Sequence, residues 1–344
     1  MQRSSITRYF KAVLDRSGIV GAARRMGGPN AHVLRILGYH SVFDSPDYCT
    51  PEICVSPKRF EQQLQHLARY YQVIGLDEAI DHLRADAPLP ERAVVITFDD
   101  GYRDNYTHAF PLLRKFGMPA TFFVVSATLH GANFWVAQLQ RVLSKCPDVE
   151  TLVKELAIPN QVLRQLDSTR QELVDHVSAV LNQCQSVAAR QALLNRVFDL
   201  VGASSDERDS RPFMLTAREI QEMAAAGMSF GSHTVTHSVL TSLDERSAFD
   251  ELLESKRHLE EVTGRPVRHF AHPNGHGVIN YSQTTARLAR QAGFVSACTS
   301  IRGMVDKSKD CFLLPRQNVN DQLYSSAFSF KLEEHRFPVL LFGT

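Results

Sequence analysis

No apolar run in this 344-residue chain is long enough to span a bilayer, which takes about 20 residues. No Cys-x-x-Cys pair occurs, and the six cysteines, Cys49, Cys54, Cys146, Cys184, Cys298 and Cys311, are scattered. A chain of this size needs no disulfide staples, so these are expected to be free thiols in a reducing compartment. Charge of one sign is also missing: 38 Lys and Arg stand against 37 Asp and Glu. That removes the basic field that would argue for a nucleic-acid partner. The start, Met1 to Arg8, leads into no apolar h-region, so a secretory signal is not expected. There is no internal repeat and no low-complexity tract, and Trp135 is the single tryptophan. What is left is an ordinary soluble globular composition in a chain able to bury a large core, as one barrel or two domains.

The informative stretch is Arg92-Ala93-Val94-Val95-Ile96-Thr97-Phe98-Asp99-Asp100-Gly101-Tyr102. Its β-branched run reads as a strand buried on both faces, ending in two adjacent carboxylates. Neighbouring strand residues point to opposite sides, so the two acids share a pocket only where the strand ends and turns. Gly101 supplies that turn. Like charges at the mouth of an apolar strand are costly unless a cation or a shared proton neutralises them. The plain alternative is a solvated Asp-Asp-Gly turn.

About 130 residues on, Met228-Ser229-Phe230-Gly231-Ser232-His233-Thr234-Val235-Thr236-His237 ends a short apolar run in two histidines four apart. On a helical turn that spacing puts both imidazoles on one face, a common presentation to zinc. Two surface or capping histidines are the alternative. Taken together, the stretches offer one carboxylate and two imidazoles as ligands, with a second carboxylate spare. That is a metal site with an open position and an adjacent base.

Around these stretches the chain alternates strands and helices. Strands are expected at 34–42, 71–76, 93–98, 120–125, 228–232, 267–271, 294–300 and 313–319, with helices between them. That rhythm argues for a parallel sheet, most economically an α/β barrel. Catalytic groups of such a barrel gather at the C-terminal strand ends. His40, Asp99, Asp100, His233, His237 and the turn after Phe270 all fall there. Residues 131–212 break the rhythm: Leu152, Leu156, Val162, Leu166, Leu173, Val177, Val180 and Leu181 recur at helical spacing with no strand candidate. They read as a helical insert or lid. Trp135, at its entrance, either stacks on a sugar ring or anchors the insert. Residues 1–30 read as a basic amphipathic arm, with Ile6, Phe10, Val13 and Leu14 at helical spacing among arginines and Lys11. The arm could contact an anionic membrane through residues 1–28, pack on the barrel, or be a transit peptide.

Thr97-Phe98-Asp99-Asp100-Gly101 and Ser232-His233-Thr234-Val235-Thr236-His237 resemble the first two motifs of the polysaccharide deacetylases, carbohydrate esterase family four. The resemblance runs from Leu34 to about Val319, apart from the insert. It implies a distorted, seven-stranded, TIM-like parallel (β/α) barrel over residues 31–344. It also implies that Asp100, His233 and His237 hold a divalent metal, zinc first, with cobalt, nickel or iron as alternatives. Asp99 would be the general base for a metal-activated water, and the backbone N–H of Tyr102 an oxyanion donor.

The expected late Leu-x-x-x-His motif has no clear match, and His335 is a poor substitute. Leu37-Gly38-Tyr39-His40-Ser41-Val42 instead resembles the first strand of the poly-N-acetylglucosamine deacetylase branch, which makes His40 the implied acid; alone it could be structural. Arg268-His269-Phe270-Ala271-His272-Pro273-Asn274-Gly275 is similar to a Phe-Ala-Tyr-Pro-x-Gly motif, bringing Pro273 and Asn274 toward substrate. Ala271 stands where other members have an arginine that orients the base. Arg316, in Leu-Pro-Arg, could supply that cation or be structural; His272 and His276 rank below His40.

The function implied is metal-dependent de-N-acetylation of an N-acetylhexosamine in a bacterial glycan or lipid-linked precursor. The expected location is cytoplasmic, at the inner face of the membrane. Sugar deformylation or another amide hydrolysis, and a glycan-binding module without catalysis, are the competing readings.

Overall fold

The computed structural model describes residues 33–44, 46–145, 170–274, 280–305 and 310–321. The arm at 1–30, Cys146, the insert positions Leu152 to Leu166, His276 and His335 lie outside them.

Strand β3, Ala93–Phe98, is buried throughout and organises the sheet. Period two sends Val94, Ile96 and Phe98 to one face, where they pack with Phe60, Leu64 and Leu113 of the surrounding helices. Ala93 and Val95 go to the other face and fill the barrel with Ile36, Phe123, Ala271, Cys298 and Leu314. β1, Arg35–Tyr39, pairs in parallel with β3 on one side and with β8, Leu314–Asn318, on the other. From β3 the ring continues through β4 (Thr121–Val124), β5 (Ser229–Ser232), β6 (His269–Ala271) and β7 (Ser296–Arg302) to β8. Seven parallel strands therefore close on themselves. The eighth, β2 (Gln72–Val73), pairs only with the start of β3 and stays outside the ring. Its expected extent, 71–76, is cut short because Gly75 caps a helix that begins at Leu76.

The helices start where capping residues place them. Ser56, Thr216, Asp244 and Ser282 each accept a backbone N–H from the first turn of the helix that follows, satisfying donors that would otherwise be orphaned. The expected helix at 106–116 opens with a π-helical turn, Asn105–Ala109, before the regular α-helix Phe110–Phe116.

Among the described residues between β4 and the helix Ala217–Ala225 are the α-helices Trp135–Ser144, Arg170–Asn182 and Val187–Leu200. They bury Trp135, Leu139, Leu173, Val177, Leu181, Leu194 and Phe198 in a cluster of their own. Val180, grouped with these by its spacing, is instead 43% exposed. No helix among the described residues is long and apolar enough to cross a membrane. The described cysteines carry free thiols, but folding brings Cys49 and Cys54 together, with Sγ atoms 3.1 Å apart.

Candidate active site

Asp99 follows β3 in phase with Val95 and Thr97, which turns its side chain toward the barrel mouth. Asp100 would then point the other way, but its backbone is left-handed (φ 72°), as is that of Gly101 (φ 80°). The turn brings both carboxylates to one side. A Cβ on Gly101 would sit 2.9 Å from Val124 Cγ1, so glycine is required there both by conformation and by space.

Asp99 is only 2% exposed, yet it does not stand alone. Arg316, on β8, donates from Nη1 to Oδ1 at 2.7 Å and from Nη2 to Oδ2 at 2.6 Å. The same guanidinium donates to the Thr299 carbonyl at 2.9 Å and to Thr97 Oγ1 at 3.1 Å, which locks its plane. Burial opposes ionisation of Asp99, but the Arg316 charge and contact outweigh it and hold the carboxyl below its ordinary range. On the other side, His40 Nε2 lies 3.9 Å from Asp99 Oδ2, with 16% of its side chain exposed. His40 directly follows β1.

Asp104 secures the loop that carries His40. Its buried carboxylate accepts from Ser41 Oγ at 2.7 Å, Val42 N at 2.8 Å and Tyr48 OH at 2.8 Å. Asn105 ties Asp104 to the His40 carbonyl through one amide nitrogen. Nothing in the spacing marked Asp104 or Asn105 as part of the site.

Asp100 Oδ1 is 3.4 Å from His233 Nε2 and 3.4 Å from His237 Nε2. One ligand atom from each of the three residues lies within 4.8 Å of the others, and all three side chains are buried. Asp100 Oδ1 has no hydrogen-bond partner among the described residues, nor does His237 Nδ1. His233 Nδ1 donates to the Ala271 carbonyl at 2.8 Å, which leaves the Nε2 lone pair facing Asp100. Burial opposes the Asp100 charge, but where the imidazoles carry a proton on Nε2 they hold its carboxyl well below the usual range. Buried oxygen and nitrogen donors that face a common point without satisfying one another fit a divalent cation.

The two histidines do not share a helical face. Residues 233–239 form a loop in which Thr234 (φ 66°) and His237 (φ 57°) are left-handed. Two clamps hold this loop. Glu251, on the helix Glu245–Thr263, accepts from Val235 N at 2.8 Å, Thr236 N at 2.9 Å and Thr236 Oγ1 at 2.6 Å. Arg190, on the insert helix Val187–Leu200, donates to the Thr236 carbonyl at 3.0 Å and to Ser238 Oγ at 2.9 Å. Neither clamp has a sequence signal, because each lies in a helix whose charges look like any solvated face.

Trp135 packs under this arrangement. It is 6% exposed, its ring centroid is 6.2 Å from that of His237, and the Arg190 guanidinium covers it at 5.3 Å. Burial in the insert's own cluster, with Arg190 over the ring, supports the anchor alternative for Trp135 more than the stacking one. Tyr102 forms an antiparallel bridge with Met214 in which its neighbours make the hydrogen bonds: Arg103 N donates to Phe213 O at 2.7 Å and Leu215 N to Gly101 O at 2.9 Å. Its own N–H therefore points away from Met214 and meets no acceptor among the described residues. Pro273 is buried after β6, and Asn274 (φ 49°) reaches the insert, donating to Asn182 Oδ1 at 3.0 Å. His272 is buried outside the ligand cluster, and burial pushes its imidazole down to about 3, which excludes a protonated form at neutral pH.

A closed seven-stranded parallel barrel with an Asp-His-His cluster and a second, arginine-held carboxylate at its mouth defines a class of hydrolase, and comparison with known proteins gives that class its name. Over residues 86–297 the sequence matches the polysaccharide deacetylase family, and the chain belongs to it. This is a family of hydrolases acting on amide bonds of N-acetylated polysaccharides, and its members are metal-dependent.

Among relatives, YxkH of Bacillus subtilis (strain 168), named for polysaccharide deacetylation, is 23% identical over 301 residues, covering 87% of this chain and 76% of that protein. The poly-beta-1,6-N-acetyl-D-glucosamine N-deacetylase of Escherichia coli (strain K12) is 44% identical over 57 residues, which is 17% of this chain and 8% of that protein. The fold is shared with the Streptococcus pyogenes deacetylase PplD, solved with acetate (TM-score 0.57, 20% identity, 90% of this chain and 100% of that one). It is shared equally with IcaB from Ammonifex degensii (TM-score 0.56, 22% identity, 88% and 97%).

Proposed function

We propose that this chain removes the acetyl group from an N-acetylhexosamine unit of a bacterial polysaccharide or of a lipid-linked glycan precursor. The observation that carries the reading is the double setting of Asp99, gripped by Arg316 through both oxygens and lying beside His40, one residue from Asp100. The partial likeness to a poly-N-acetylglucosamine deacetylase supports the choice of sugar.

Asp100, His233 and His237 would hold the cation, and two imidazoles with one carboxylate suit zinc, ahead of cobalt, nickel or iron. When bound, the ion supplies Lewis acidity, lowering the pKa of water toward neutrality and polarising an amide carbonyl. Asp99 is ionised because Arg316 offsets its burial, so it can take the proton of the attacking water. Arg316 also stops the carboxylate from rotating, which keeps its remaining lone pairs in one direction. The Tyr102 N–H, directed away from Met214, would donate to the oxygen that gains charge as the carbonyl becomes tetrahedral. His40, partly exposed on the far side of Asp99, delivers a proton to the departing amine.

The test is acetate release from N-acetylhexosamine oligomers and lipid-linked sugars by metal-reconstituted protein, with Asp99→Asn in parallel. Wild type should release acetate, and Asp99→Asn should lose about 10²- to 10⁴-fold in kcat, the usual weight of a general base. Absence of acetate on every substrate, with the metal demonstrably bound, would refute de-N-acetylation.

A further inference from the structure

Cys49 and Cys54 are five residues apart, and the chain between them folds so as to bring them together. Pro51 fixes the backbone at the start of a 3₁₀ turn, Pro51–Ile53, with about three residues to the turn, so Cys54 comes back toward Cys49. The Cys54 N–H closes that turn on the Pro51 carbonyl at 3.4 Å. The two Sγ atoms end 3.1 Å apart, and both thiols face one acceptor, the Thr50 carbonyl, at 3.0 Å from Cys54 and 3.7 Å from Cys49. A disulfide bond is about 2.05 Å long, so the sulfurs need to approach by only about 1 Å. The proposed reaction uses neither of them.

The pair sits where a cross-link has consequences. Tyr48, next to Cys49, donates to Asp104 at 2.8 Å. Cys54 forms a parallel bridge with Ser41, in which Val55 N donates to the Ser41 carbonyl at 3.0 Å, and Ser41 Oγ donates to the same Asp104 at 2.7 Å. Each sulfur is thus one residue or one bridge away from a group that fixes the chain after His40. Tyr102, Phe134 and Met214 complete a buried cluster around them, in which Cys49 is 2% and Cys54 5% exposed. Burial, together with the adjacent Cys54 thiol, pushes the Cys49 thiol up, which leaves Cys54 as the sulfur that reacts first.

We propose that Cys49 and Cys54 are a site of reversible oxidation, at which hydrogen peroxide, small enough to enter the cluster, makes a disulfide that staples the segment 46–55. The Cys54 thiolate attacks one peroxide oxygen and the O–O bond breaks; the departing hydroxide takes up the thiol proton, leaving a sulfenic acid and water. The Cys49 sulfur then attacks the Cys54 sulfur. The S–S bond forms as the S–O bond breaks, and the released hydroxide leaves as water with the Cys49 proton. Two thiols lose two electrons, and one peroxide becomes two waters. Burial then shields the disulfide from bulky thiols. None of this chemistry depends on the deacetylase reading.

The test applies hydrogen peroxide to the full chain in its reduced form. Trypsin releases Ile36–Lys58, which carries both cysteines and no other. After peroxide, unfolding and alkylation, that peptide should be two hydrogen atoms lighter and unalkylated, and dithiothreitol should restore alkylation at both positions. Peroxide that left both thiols open to alkylation, or carried them to sulfinic acid, would overturn the site.

Amide hydrogen exchange in residues 46–55 should slow at least about tenfold in the oxidised protein, because the closed ring restricts the opened segment. Cys49→Ser and Cys54→Ser, treated alike, should show no slowing. Slowing that persisted in either variant, or a wild-type disulfide that left exchange unchanged, would overturn the staple. The wild-type mass and exchange decide the matter even if neither variant folds.

Discussion

Two adjacent acids at the mouth of the barrel are kept charged in different ways. Asp99 is matched by a fixed guanidinium, Asp100 by two imidazoles and the cation they would hold with it. The difference predicts distinct failures. Arg316→Lys keeps the positive charge but loses the fork that grips both oxygens. It should lower kcat by at least about tenfold, the factor that about 1.4 kcal/mol of lost transition-state positioning represents. Arg316→Ala leaves a buried carboxylate uncompensated and should cost about 3–5 kcal/mol of stability, read as a fall in Tm. Wild-type kcat in Arg316→Lys would show that Arg316 is only structural. At this scale much of the site was legible. Asp99, Asp100, His233 and His237 stand in contiguous motifs, and Leu-Pro-Arg at a strand end marked Arg316. Asp104 was not legible, because four donors converge on it only after β1 and the turn past β3 are side by side.

Among the elements, the loop 233–239 is the one whose shape the sequence concealed. A four-residue histidine spacing suits a helical turn, and equally a loop with two left-handed residues. Threonine at φ 66° carries none of the signal that glycine would. Such a loop needs outside support, and Glu251 and Arg190 give it from two helices that do not belong to the motif. Arg190→Ala should therefore weaken metal binding by about 10- to 100-fold, the usual cost of losing a group that orients a ligand. Competition against a chromophoric chelator measures this without any turnover. Glu251→Gln is the matching change on the barrel side. Unchanged affinity in both variants would mean that the loop holds its shape unaided. Trp135 read ambiguously because its place at the entrance of the insert suits a sugar platform and an anchor alike; only the fold shows Arg190 over its face.

For the molecule as a whole, the βα rhythm was sufficient to anticipate a parallel barrel, since strands with buried period-two faces alternate with capped amphipathic helices. Two features escaped it. The two-residue β2 is too short to declare that it stays outside the ring, and the closure of the ring depends on register between residues 280 positions apart, Gly38 with Asn318. That closure has a kinetic consequence. Asp99 and Arg316 are separated by 217 residues, and their contact forms only when the last strand docks on the first. The proposed cation-binding trio needs no β8 residue, whereas the counter-charge of Asp99, the proposed general base, arrives with it. Contacts of such long range are the slow ones in folding. During refolding, helical circular dichroism and zinc uptake should therefore recover before acetate release, which should track the slowest phase. Turnover that returned ahead of that phase would contradict this order. A partly folded chain would thus hold metal without hydrolysing amides, and catalysis would serve as the molecule's own report that the ring has closed.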